Sequence, residues 1–158
     1  MLVHFPTALF PTSLLFDLLS WGFTEPALVK AAFYNIAVGL FGALLAILTG
    51  LVDYFGMVSG SRKHRLTTWH MLANLPLVFI FAISLGLRYL ELDTPKTPFH
   101  ILALSFIGLP LLVVGNYLGS ELVYRMGMRV NTGRLRETPL ILKAVALVRR
   151  SLGVKEPV

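Results

Sequence analysis

The stretch at residues 31–55, AAFYNIAVGLFGALLAILTGLVDYF, decides the class of the fold. It carries a single charge, Asp53, near its end. A helix crosses a bilayer in about 20 predominantly apolar residues, because every backbone N–H and C=O must be paired inside the segment when no water is present. Residues 31–55 meet that length with room to spare. Three further stretches read the same way: residues 2–23, 69–90 and 99–123. The whole chain is 56% hydrophobic and 14% charged over 158 residues, with a mean hydropathy of +0.74. A soluble domain of this size cannot hide so much apolar surface. The sequence therefore predicts an all-α integral membrane protein, an up-down four-helix bundle over residues 1–130 with a basic tail at 131–158.

The breaks between the stretches support this division. Thr24-Glu25-Pro26 reads as a cap followed by a first-turn proline that starts a new helix. Residues 57–68 hold Gly60, Ser61, Arg62, Lys63, His64 and Arg65 and read as a polar loop. Residues 93–98, DTPKTP, read as a tight turn. Short connections make successive helices antiparallel neighbours. In the tail, Thr138-Pro139 precedes a mostly apolar stretch too short to span. A surface-lying amphipathic helix over 139–152 is expected there, either docked on the bundle's own end or available to a partner.

The net charge of +6 and a pI near 10 could suggest nucleic acid, but the charges gather in a loop and the tail rather than on a folded basic face. Arg62, Lys63 and Arg65, with Arg125, Arg129, Arg134, Arg136, Lys143, Arg149, Arg150 and Lys155, lie on one side of the predicted membrane. Lys30, Arg88 and Lys96 are left for the other. The basic side is expected to be cytoplasmic, which places both termini there, in a bacterial inner membrane. No cleavable signal is expected, since the first apolar stretch lacks a basic leader and a small-residue cleavage site. The chain has no cysteine, which excludes disulfides, thiolate metal sites and covalent haem attachment. Nucleotide-binding, serine-hydrolase and zinc-protease motifs are missing, so no enzyme activity is expected.

Ionisable groups inside a membrane are costly and are functional candidates by default. They fall into two layers. The outer layer holds Asp17, Asn35, Arg88 and His100; Asp17 and Arg88 are expected to form a structural ion pair. The basic-side layer holds His4, Asp53, His70, Asn74 and Glu121. If neighbouring helices pack 8–10 Å apart, diagonal helices lie roughly 13 Å apart, a gap that accepts a b-type haem between His4 and His70 as axial ligands. Arg62, Arg65 and Arg125 are then candidate partners for its propionates. A rival site uses His4, Asp53, His70 and Glu121 on a non-haem metal. Each histidine can equally be a packed interface residue, for instance His70 bonded to Asp53. Met126 and Met128 lie close enough to supply a thioether, or simply pack. A stripe of small residues, Gly39, Gly42, Ala43, Ala46 and Gly50, marks a close helix approach within the bundle or to another protein.

The segments LVHFP at 2–6, GLVDY at 50–54, SLGLR at 84–88 and LGSELVYR at 118–125, with His70 and Asn74, resemble the bacterial membrane family labelled domain of unknown function 2231. The resemblance spans roughly residues 2–130. It implies a four-helix membrane protein placed near electron-transfer machinery, since family members are at times joined to Rieske-type or cytochrome-type modules. Relatives often carry histidine where this chain has Met126. Three functions follow as expectations: a haem-binding electron-transfer subunit, a cofactor-free scaffolding subunit of a larger respiratory or photosynthetic complex, or an ion or small-solute carrier. The partners expected are the bilayer and other membrane or redox subunits.

Overall fold

The structure, a computed structural model, describes residues 2–128. The expected tail helix at 139–152 and most of the basic tail lie outside the described residues. Four helices make up the fold: α1 (His4–Phe23), α2 (Pro26–Phe55), α3 (Arg62–Leu90) and α4 (Phe99–Tyr124). They run up and down as two hairpins, α1 on α2 and α3 on α4. The hairpins meet more lightly along α2–α3 and α1–α4.

The helix ends follow from local chemistry. Thr24 closes α1 in the left-handed conformation (φ 57°), with its N–H donating to the Ser20 carbonyl. Pro26 then opens α2, where its missing N–H costs nothing. Helix α2 therefore starts five residues before the apolar stretch does. Helix α3 departs further from expectation, because residues 62–68 are helical rather than loop. The Ser61 hydroxyl caps the helix by accepting from the His64 N–H at 3.1 Å, and once nucleated the helix runs through polar and apolar residues alike. Arg62, Lys63 and Arg65 thus sit on the first turn of a 29-residue helix.

Helices α2, α3 and α4 are long and apolar enough to cross a membrane. Helix α1, with Pro6, Pro11 and Asp17 in its length, falls below that mark. Its buried residues lie on one stripe, Pro6, Phe10, Ser13, Asp17 and Ser20, while Leu15, Leu18 and Trp21 face outward, each about half exposed. Polar inside and apolar outside is the reverse of a soluble amphipathic helix. It suits a helix whose outer surroundings are lipid and whose inner face meets polar partners.

Phe10, Ile36, Leu40, Leu77, Phe81 and Leu112 form the core. The rings of Phe10 and Phe81 stack across the α1–α3 diagonal, with centroids 3.9 Å apart and planes 14° from parallel. Glycines opposite make room for them. A Cβ on Gly39 would come within 2.6 Å of Phe10, and one on Gly108 within 2.6 Å of Phe81. Gly42 meets Phe5 in the same way. The upper part of the small-residue stripe of α2 is therefore used inside the bundle, against α1. Gly50 has no such neighbour.

Candidate functional site

The outer polar layer is a closed cluster. Arg88 Nη1 donates to Asp17 Oδ1 at 2.7 Å and Nη2 to Oδ2 at 2.5 Å, a two-pronged pair in which both side chains are at most 1% exposed. The remaining guanidinium donors reach the hydroxyls of Ser84 (3.2 Å) and Ser105 (3.3 Å). Asp17 Oδ1 also accepts from the Thr97 hydroxyl at 2.8 Å. The Ser20 hydroxyl accepts from the Thr97 N–H at 3.1 Å, and the Trp21 indole donates to the Thr97 carbonyl at 2.8 Å. Helices α1, α3 and α4 and the turn before α4 are tied at one point. No buried side-chain nitrogen or oxygen among the described residues lacks a partner. A charge pair taken out of water is tolerated when its remaining hydrogen-bonding groups are met in this way. Asn35 bonds back to the Ala31 carbonyl, and exposed His100 lies 3.6 Å from Glu91; neither joins the cluster.

The basic-side layer is looser. His70 is half-buried, and its Nδ1 lies 3.0 Å from the Gly115 carbonyl of α4. Asn74 Nδ2 lies 3.3 Å from the same nitrogen, so Nδ1 donates to the carbonyl in one tautomer, leaving a lone pair on Nε2, and accepts from the amide in the other. Asn74, one turn on, bonds the His70 carbonyl at 2.8 Å. A Cβ on Gly115 would come within 2.6 Å of Asn74, and one on Gly119 within 3.1 Å of His70. Two glycines of α4 thus let the polar face of α3 close against them. The Thr7 hydroxyl of α1 donates to Asn116 Oδ1 at 3.1 Å.

His4 is exposed on the first turn of α1. Phe10–Phe81 and Asp17–Arg88 both join residues 71 positions apart. That offset alone would set His4 level with Leu75, whereas the Thr7–Asn116 bond sets it level with Gly119, which lies against His70. As to the alternative metal set, among the described residues no group of three or more His, Asp or Glu side chains converges to hold a metal. Glu121 is engaged by Arg125 at 3.1 Å, and Asp53 is half-buried near the end of α2.

Arg62 and Arg65 do come together. With Leu66, Trp69, Glu121 and Met126 they line an open groove of about 440 Å³ between the start of α3 and the end of α4. Neither His4 nor His70 lines it. Set against a haem, the residues fit in part. In the tautomer that donates Nδ1–H to Gly115, His70 leaves Nε2 able to serve as an axial ligand. The candidate propionate partners Arg62 and Arg65 line a separate groove. Ser20, Ser84, Thr97 and Ser105 were missed by sequence reading. The only available signal was spacing: Ser84 is one turn before Arg88 and Ser20 almost one turn after Asp17.

The profile of the family described as predicted membrane protein (DUF2231) matches residues 1–132. No curated protein and no solved structure matches the chain.

Proposed function

Because the chain belongs to the DUF2231 family of predicted membrane proteins, we propose that it is a small integral membrane accessory subunit, one that holds neighbours in a larger electron-transfer complex and carries no cofactor of its own. Its basic end faces the cytoplasm in this reading, following the distribution of lysine and arginine. The observation that carries it is the filled diagonal between α1 and α3. Phe10 and Phe81 occupy it at one level, and Asp17 and Arg88 occupy it at another. The internal polar chemistry is spent on holding helices together, and the outward surface is broadly apolar. The link to electron transfer rests on the resemblance alone. The test is extraction in mild detergent followed by native gel separation. Co-migration with a larger complex, with no haem bands from the pure chain, is expected. A chain that migrates alone as a monomer overturns the reading.

One observation favours a second reading. With Nδ1 donating to the Gly115 carbonyl, His70 Nε2 is an oriented lone pair for iron. A b-type haem held there would make the chain an electron carrier. Reduced-minus-oxidised spectra after expression with haem supply decide it. Haem bands lost in His70→Ala establish this reading over the first, and a flat spectrum ends it.

A further inference from the structure

The groove at the basic end is used by neither reading, and its chemistry is specific. Arg62 and Arg65 project from the first turn of α3, and among the described residues neither has an ion pair or hydrogen-bond partner for its guanidinium. The one carboxylate on the wall, Glu121, is already neutralised by Arg125. Among the described residues the groove therefore carries an unmet positive charge. The first turn of α3 contains no acidic side chain, so the helix dipole adds to that charge rather than opposing it.

Below the arginines the wall changes character in order. Leu66 and Met126 form its apolar side, and Trp69, 62% exposed, stands at its lower rim. Tryptophan favours the level of lipid headgroups, where an apolar ring and an N–H are both satisfied. Beyond Trp69 the same side of α3 continues with Leu72, Leu75 and Phe79 at helical spacing, all more than half exposed. From the helix end inward the order is guanidinium, indole, aliphatic. That is the order of phosphate, glycerol and acyl chain in a phospholipid leaflet.

We propose that this groove is a specific seat for one anionic phospholipid, whose phosphate is held by Arg62 and Arg65, whose glycerol region lies against Trp69, and whose acyl chain follows Leu72 toward Phe79. Basic clusters between helix ends at a membrane surface recognise anionic headgroups through charge-assisted hydrogen bonds. A single anionic lipid seated here bridges α3 and α4 at the end that α1 does not reach.

The test uses the full chain in mild detergent, titrated separately with phosphatidylglycerol, phosphatidylcholine and inorganic phosphate, with bound species counted by native mass spectrometry. One phosphatidylglycerol is expected to be retained at least about tenfold more strongly than phosphatidylcholine. R62Q/R65Q should reduce it to the phosphatidylcholine level. W69A should weaken lipid retention too. Removing two charges from the opposite end, K30Q/K96Q, should change nothing. Four results overturn the proposal: retention unchanged in R62Q/R65Q, retention unchanged in W69A, an equal loss in K30Q/K96Q, or inorganic phosphate binding as strongly as the lipid. The last would assign the arginines to a water-borne anion. Arg62 and Arg65 are exposed, so these variants leave the fold intact, and an unchanged melting temperature checks that.

Discussion

Asp17 and Arg88 face each other with the same 71-residue offset that sets Phe10 against Phe81. Two contacts of different chemistry, one ionic and one aromatic, thus fix a single register between α1 and α3. Among the described residues the Asp17–Arg88 pair is the one fully buried ion pair, closed in by Ser84, Ser105 and Thr97.

Removing one partner of that pair leaves the other charged, buried and unmet. Asp17→Leu and Arg88→Met are each expected to destabilise the bundle by about 3–5 kcal/mol, whereas the double variant D17L/R88M should lose much less. Unfolding in a graded mixture of mild and denaturing detergent measures all three. Equal, additive losses would show that the two residues act separately.

Gly108 and Gly39 are predicted to be intolerant of a methyl group. Gly108→Ala places a carbon where the Phe81 ring already sits, at a cost of about 1–3 kcal/mol. Pairing it with Phe81→Leu should restore part of the loss. Gly86→Ala, which meets nothing within 4 Å, should be neutral or mildly stabilising. Melting temperatures of the four variants give the comparison.

The start of α3 depends on Ser61. Ser61→Ala removes the acceptor for the His64 N–H and should cost about 1 kcal/mol. The loss belongs to the basic end alone. Amide exchange should quicken over residues 62–66 and stay unchanged around Arg88.

Topology is directly measurable because the native chain contains no cysteine. A single cysteine at Ser59 should react with a membrane-impermeant maleimide only from the cytoplasmic side, and one at Thr94 only from the opposite side. Labelling of both from the same side would refute the up-down crossing. Inverted labelling would refute the orientation alone.

The long apolar runs made α2, α3 and α4 plain in the sequence, because lipid permits few other structures for them. The start of α3 was hidden, since Arg62, Lys63 and Arg65 look like loop residues until a cap continues the helix through them. The composition of α1 concealed its role in the opposite way: its buried polar residues, Ser13, Asp17 and Ser20, are few and share one side, and their partners lie up to 80 positions away in sequence. Asp17 and Arg88 could be paired by depth because charges in lipid seek each other. Ser20, Ser84, Thr97 and Ser105 could not, because a short hydroxyl earns its place only from what it faces. The histidines were legible as residues, but their relative depth was not, because it depends on how α1 packs against α3 and α4 through Phe10, Asp17 and Thr7 rather than on any motif.

The separation of Asp17 from Arg88 has a consequence for biogenesis. As the chain emerges from the ribosome, α1 arrives with an acid whose counter-charge has yet to be made, and the basic residue that α2 brings to that level, Lys30, is half exposed and turned to Asp93 rather than to Asp17. Membrane integration of the first hairpin therefore remains provisional until α3 delivers the guanidinium. Truncating the nascent chain before residue 88 should leave α1 extractable by alkali, and lengthening it past that point should lock α1 in place.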